Sequence, residues 1–243
     1  MSKNDTRILH IYYLAEIILF IIIKVGEQVW RVPGQGDPGK PGSPLALLRY
    51  STIICNFLMI LYLYLRHGRR LHCRENLIPL AFALTLTADC FMCVFHDKRI
   101  WGYLFFTLVE TVYMIFMKPT WKTVSVRLIL YAAMILLIRF LKSELLSADN
   151  ALAMANMVQL TVNLFCAWIC HRKAGGRKTL LFALGITLFA GCDYSILIRT
   201  FTNSPSLVYM IAAFTVWTCY IPSQMLLLRS YVEKLKEDSE IQL

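Results

Sequence analysis

The 243-residue chain is 58% hydrophobic and only 16% charged, a balance that excludes an ordinary soluble domain. Its formal net charge of +10 does not point to nucleic acid, because the Lys and Arg lie in short loops between apolar runs rather than on one continuous face. Those runs, of roughly 17 to 23 residues, can each cross a hydrocarbon core of about 30 Å as a helix. They predict an all-α, polytopic membrane helical bundle of about eight transmembrane helices, forming a single transmembrane domain over residues 1–243.

Helix 1 is expected over about Ile8 to Ile23. Lys3 and Arg7 precede it as in a signal peptide, but the run carries Glu16 and lacks a small-x-small cleavage site, so it reads as a retained first helix. The Pro/Gly-rich loop 31–44 follows, with Gly-Asp-Pro, Gly-Lys-Pro and Gly-Ser-Pro in succession. Three such triplets are too few for a triple helix, and an extended, solvated linker outside the cytoplasm is expected.

Helix 2 (about Leu45 to Leu65) holds Asn56 and leads into a loop with Arg66, Arg69, Arg70 and Arg74. Helix 3 (about Leu77 to Phe95) contains Asp89; helix 4 (about Ile100 to Met117) contains Glu110 and Tyr113, and the two form a hairpin. Helix 5 covers about Val124 to Leu141, and helix 6 about Ala151 to Cys170 with Asn156, Gln159 and Asn163. Helix 7 runs from about Thr179 to Ile198 with Asp193, and helix 8 from about Ser206 to Arg229, followed by a tail over 230–243. The charged loops place both termini and that tail in the cytoplasm by the positive-inside rule.

A carboxylate deep in an apolar run is costly and is normally turned toward a bundle interior and kept for a task. Helices 3 and 7 then run in the same direction, and Asp89 and Asp193 fall about 18 to 21 Å from the inner boundary at roughly 1.5 Å per residue. Glu110, Glu16 and Asn56 fall near the midplane, where Glu16 and each lone Asn read as ordinary interhelical hydrogen-bonding groups. Two carboxylates in one low-dielectric pocket split their titrations, one protonated and one ionised, which makes Asp89 and Asp193 a candidate acid and base pair.

Other chemistries lack support. Seven of the eight cysteines (Cys55, Cys90, Cys93, Cys166, Cys170, Cys192 and Cys219) lie inside apolar runs as small apolar residues, so no disulfide framework is expected. Cys90-x-x-Cys93 with His96 lacks a second ligand pair and reads as packing rather than a metal site. There is no Gly-x-Ser-x-Gly elbow, phosphate loop or His-Glu-x-x-His. The Tyr-Asp and Gly-x-Gly-Asp pattern of intramembrane aspartyl proteases is also missing, since the residues are Ala88-Asp89 and Gly191-Cys192-Asp193.

Two stretches resemble the motifs of the YhhN-like lysoplasmalogenase family of integral membrane enzymes. In the first, a Gly-Asp pair is followed one helix later by Gly-x3-Phe-x3-His-x2-Tyr; here Asp89, Gly102, Phe106 and Tyr113 match, with Ala88 for the glycine and Glu110 for the histidine. In the second, Gly-x3-Phe-x2-Ser-Asp followed by Tyr-x3-Gln, the matches are Gly185, Phe189, Asp193, Tyr220 and Gln224, with Cys192 for the serine. The resemblance implies hydrolysis of the vinyl ether bond of a lysoplasmalogen to a fatty aldehyde and a glycerophospho-base. The implied catalytic residues are Asp89 and Asp193, with Glu110, Tyr113, Tyr220 and Gln224 as substrate-binding groups. No cofactor, metal or nucleotide is required; the partners are the lysophospholipid substrate and membrane lipids, and the expected location is the cytoplasmic membrane of a bacterium. The rival expectation is a lipid-binding or proton-coupled transport protein that uses the same acids without breaking a bond.

Overall fold

The computed structural model describes residues 3–29, 43–68, 74, 76–95, 98–141, 148–202 and 206–240. These residues form eight helices and no strand: α1 (Lys3–Val29), α2 (Pro44–His67), α3 (Leu77–Cys93), α4 (Arg99–Phe116), α5 (Trp121–Leu141), α6 (Ala148–Ala174), α7 (Arg177–Phe201) and α8 (Leu207–Glu240). Six of them, α1, α2, α4, α6, α7 and α8, are long and apolar enough to cross a membrane. The apolar α3 is shorter, at 17 residues, and α5 carries Lys122, Arg127 and Arg139 within its length. The chain is a multi-pass helical membrane protein. The loop 31–42, His96 and residues 241–243 lie outside the described residues.

Two compact units divide the described residues, the first running up to Val112 and the second from Tyr113 onward. In the first, α1 packs on α2 and α2 on α3. The inward stripe of α1 is Asp5, Leu9, Tyr12, Glu16, Ile23 and Glu27, all buried, at the three- and four-residue steps of one helix face. Its other faces expose Ile11, Leu14, Ile17, Ile18, Ile21, Ile22 and Val25, the surface a helix offers to lipid.

Three polar levels join α1 to the antiparallel α2. At one end Asp5, fully buried, pairs with the Arg66 guanidinium and has His67 Nε2 within hydrogen-bond distance, each at 3.1 Å. In the middle the Tyr12 hydroxyl donates to Asn56 Oδ1 (2.6 Å), and Asn56 Nδ2 donates to Glu16 Oε1 (3.3 Å). At the other end Arg49 Nη2 and Lys24 Nζ both donate to the Glu27 carboxylate at 2.8 Å. In an apolar medium unspent polar groups are expensive, so each level fixes helix register as well as holding the pair together. The start of α2 is set by Ser43, whose Oγ accepts from Ala46 N (3.1 Å), with Pro44 opening the first turn.

The second unit is a run of antiparallel neighbours, α5 on α6, α6 on α7 and, most extensively, α7 on α8. The inward face of α6 carries Asn156, Gln159 and Asn163, all buried. Arg127 Nη2 of α5 donates to Asn163 Oδ1 (2.8 Å), and the Tyr131 hydroxyl to Gln159 Oε1 (2.9 Å). Between α6 and α7, Trp168 Nε1 donates to Thr187 Oγ1 (3.0 Å) and the Thr161 and Tyr194 hydroxyls pair at 2.5 Å. The turn joining these helices needs positive φ at Gly175 (63°) and Gly176 (85°), a region that a side chain disfavours.

The last helix departs most from expectation. Rather than stopping near Arg229, α8 continues to Glu240, taking in most of the expected tail at 230–243. Ser230 Oγ donates to Lys178 O (2.9 Å) and Lys178 Nζ pairs with Glu237 Oε2 (2.7 Å), tying this extension to the start of α7. Tyr231, Val232 and Leu235 are buried, so this stretch packs one helix face.

Candidate functional site

Asp89 lies in the last full turn of α3, about 18 Å along the helix from Leu77, and is 6% exposed. Around it α3 meets both its neighbours. The Tyr50 hydroxyl of α2 donates to Leu86 O (3.4 Å), with Cys90 its side-chain hydrogen-bond neighbour and Asp89 within electrostatic reach. On the α4 side, a Cβ added to Gly102 would lie 2.7 Å from Met92 Sδ and 3.2 Å from Ala88 O. Glycine therefore lets α4 come against the α3 backbone one residue from the aspartate, and Ala88 keeps that surface small. Phe91 and Phe105 stack across the same hairpin, with centroids 5.8 Å apart. One turn before Asp89, the buried Thr85 Oγ1 has no hydrogen-bond partner among the described residues.

Further along α4, Glu110 is 2% exposed and Tyr113 fully buried. The Tyr113 ring meets Phe182 of α7 edge-on, at a centroid separation of 5.9 Å. Glu110 and Tyr113 lie three residues apart on one helix, the spacing that puts two side chains on neighbouring parts of one face.

Asp193 occupies α7 about 24 Å along from Arg177 and is half-buried. Two glycines bring α8 against this helix. A Cβ on Gly185 would stand 2.8 Å from Leu227 Cγ and 3.3 Å from Leu227 N, and one on Gly191 would stand 3.3 Å from Cys219 Sγ. Phe189, buried one turn before Asp193, packs on Tyr220 of α8 at 5.9 Å between centroids, and Trp217 braces Tyr220 from the other side at 5.3 Å. Gln224 follows Tyr220 by one turn and is 1% exposed, with Nε2 lacking a hydrogen-bond partner among the described residues. Between them stands Pro222, inside α8, which removes the N–H that would bond the Thr218 carbonyl. Because α8 runs on to Glu240, this proline stands mid-helix.

A model of the YhhN family matches residues 48–231. The chain belongs to the YhhN family. No match is found among curated proteins or among solved structures. The YhhN match covers all six candidate site residues, Asp89, Glu110, Tyr113, Asp193, Tyr220 and Gln224, and leaves out α1. Of the second motif, Gly185 and Phe189 on α7 pack on α8, at Leu227 and Tyr220, while Asp193 follows Phe189 by one turn on α7 and Gln224 follows Tyr220 by one turn on α8. The first motif joins Asp89 and Gly102 at the α3–α4 contact and carries Glu110 and Tyr113 down α4. Asp89 belongs to the first compact unit and Asp193 to the second.

Sequence reasoning passed over Asp5, Glu27, Arg49 and Arg127, all buried. Glu27 and Arg49 had a usable signal: a carboxylate at the end of one apolar run and a guanidinium at the start of the next face each other in an antiparallel pair.

Proposed function

We propose that this YhhN protein is a membrane-embedded hydrolase that cleaves the vinyl ether bond of lysoplasmalogen-type lysolipids, giving a fatty aldehyde and a glycerophospho-base. The observation that carries the reading is the α7–α8 contact, where Gly185 lies against Leu227 and Phe189 packs on Tyr220, with Asp193 one turn after Phe189 and Gln224 one turn after Tyr220. Gln224 offers there a buried amide donor not spent on the described residues.

A vinyl ether is hydrolysed by protonating its β-carbon. The electron pair of the double bond takes the proton, and the ether oxygen shares the resulting charge as an oxocarbenium ion. Water adds to the α-carbon and loses a proton, and the hemiacetal collapses to aldehyde and alcohol. The reaction needs a general acid and an anion beside the cation, as paired carboxylates supply around a glycosidic oxocarbenium. Asp89 and Asp193 take these two roles in the proposal. Gln224 and Tyr220 orient the attacking water or the glycerol oxygens, and Tyr113 borders the acyl-like chain. Glu110, standing where the family motif has histidine, supplies a further carboxyl group on α4. The low-dielectric surroundings strengthen each of these interactions over its value in water.

Purified protein in detergent is expected to release aldehyde from a lysoplasmalogen, with Asp89→Asn and Asp193→Asn each losing at least about a hundredfold in kcat, the scale of a general acid or base. Thermal unfolding of both variants is expected to stay close to wild type. Retention of wild-type turnover by both would remove the aspartate mechanism. Flux of lipid or protons in liposomes with no product would place the chain in the transport class instead.

A further inference from the structure

Threonines inside these helices share a habit. Thr87, Thr107, Thr111, Thr161 and Thr187 each donate to the carbonyl four residues back, at 2.6 to 3.0 Å, which satisfies the hydroxyl without leaving the helix. Thr85 departs from this. It is 1% exposed, and its Oγ1 has no hydrogen-bond partner among the described residues. A hydroxyl left unmet in an apolar interior is a standing cost, of the kind retained where a ligand offsets it.

Thr85 and Asp89 stand four residues apart in α3, which puts their Cβ atoms about 5 to 6 Å from each other on one face. That face is the buried stripe of α3, shared with Ile78, Ala81, Phe82, Ala88 and Cys93, and these two are its oxygen-bearing side chains. Neighbouring helices close both flanks of the turn that joins them. On one flank the Tyr50 hydroxyl of α2 donates to Leu86 O (3.4 Å), with Asp89 within electrostatic reach. On the other, Gly102 brings α4 against Ala88 O. The Thr85 hydroxyl therefore belongs to the same enclosed face as the Asp89 carboxyl group.

A lysoplasmalogen carries one group that its acylated parent lacks, the free hydroxyl on the middle carbon of glycerol. Five bonds separate that oxygen from the vinyl ether β-carbon, an extended reach of about 6 Å at the advance per bond of an ordinary chain. The span matches one helical turn between two side chains. Resting on the hydrolase reading, we infer that Thr85 binds the free glycerol hydroxyl of the lysolipid and so sets the vinyl ether against Asp89. A threonine hydroxyl both donates and accepts, so it bonds an alcohol whichever of the two gives the proton. Thr85 is then the specificity residue for a lysolipid, because a site built to hydrogen-bond a substrate hydroxyl discriminates against an analogue that leaves its own polar group unpaired.

The test uses unreactive ligands, so that it reads binding without chemistry. A 1-O-alkyl lysophospholipid and its 2-deoxy counterpart, which differ by the one hydroxyl, are titrated onto the full-length protein in nanodiscs. Wild type is expected to prefer the hydroxylated ligand by about tenfold to a hundredfold. Thr85→Val keeps the shape and removes the hydroxyl. It is expected to weaken only the hydroxylated ligand, bringing the two affinities within about threefold, and to unfold at the wild-type temperature or above. Thr85→Ser is expected to keep most of the preference, and Thr85→Ala is read in place of Thr85→Val should the latter not fold. Equal affinities in wild type, a preference that survives Thr85→Val, or equal weakening of both ligands overturns the assignment. With the matching vinyl ether substrates, an equal fall in kcat/KM on both would give the hydroxyl to the attacking water and overturn it as well. Wild type that shows the preference, lost in Thr85→Val, yet releases no aldehyde from the vinyl ether would instead overturn the hydrolase reading and leave Thr85 as the hydroxyl-binding residue.

Discussion

At the scale of single residues, polar groups in this chain divide into those that hold helices and those with unspent capacity. Asn56 is the clearest holder: Oδ1 accepts from Tyr12, and Nδ2 donates to Glu16 Oε1 and to Thr52 O. Its removal strands a buried hydroxyl and a carboxyl group, so Asn56→Leu is expected to cost about 1 to 3 kcal/mol in detergent unfolding. A double-mutant cycle with Glu16→Ala is expected to show a coupling of about 0.5 to 2 kcal/mol; additive effects would mean the contact does no work. Gln224 is the contrasting case, a fully buried amide whose Nε2 has no partner among the described residues. Gln224→Met keeps the volume and gives up the donor, so it is expected to leave stability within about 0.5 kcal/mol and to lower kcat by about tenfold, measured as aldehyde release. An equal fall in stability would make it a packing residue. Glu16, Asn56 and Asp89 were legible in the sequence because an acid or amide mid-run tends to turn inward, while Asp193 stays half-buried. Asp5, Glu27 and Arg49 were not, because a long or terminal polar side chain near a helix end can equally snorkel to the interface. Only the facing helix distinguishes the two outcomes.

Among elements, the α7–α8 pair carries Asp193, Tyr220 and Gln224 and depends on small residues. The two glycines of α7 make unequal demands. At Gly185 an added Cβ meets Leu227 Cγ at 2.8 Å and the Leu227 backbone nitrogen at 3.3 Å, whereas at Gly191 the nearest atom is Cys219 Sγ at 3.3 Å. Gly185→Val is therefore expected to destabilise by about 1 to 3 kcal/mol, the usual cost of forcing volume into a close contact. Gly191→Ala, with a sulfur able to shift by a few tenths of an ångström, is expected to cost much less. Thermal scans of the two variants in one detergent check the order; reversal would mean that α7 and α8 are not held at these points. Helix positions were readable from apolar run length, but the end of α8 was not. The charges from Arg229 onward look like a solvated tail in sequence, while Ser230 and Lys178 anchor that stretch to α7 and bury Tyr231, Val232 and Leu235.

For the whole molecule, the bundle class followed directly from the repeated apolar runs, and the family from two spaced motifs on four helices. Among the described residues, six of the eight helices are long and apolar enough to cross a membrane, and α3 is a shorter apolar helix. The proposed function rests on proton delivery to carbon inside a helical membrane protein, and that step leaves an isotopic record. In heavy water, the purified protein acting on a lysoplasmalogen is predicted to release aldehyde carrying one deuterium at C2, the former β-carbon, with Asp89→Asn and Asp193→Asn releasing none above background. Aldehyde released without deuterium at C2, once exchange of free aldehyde is subtracted, would contradict protonation at carbon and with it the account given for Asp89 and Asp193.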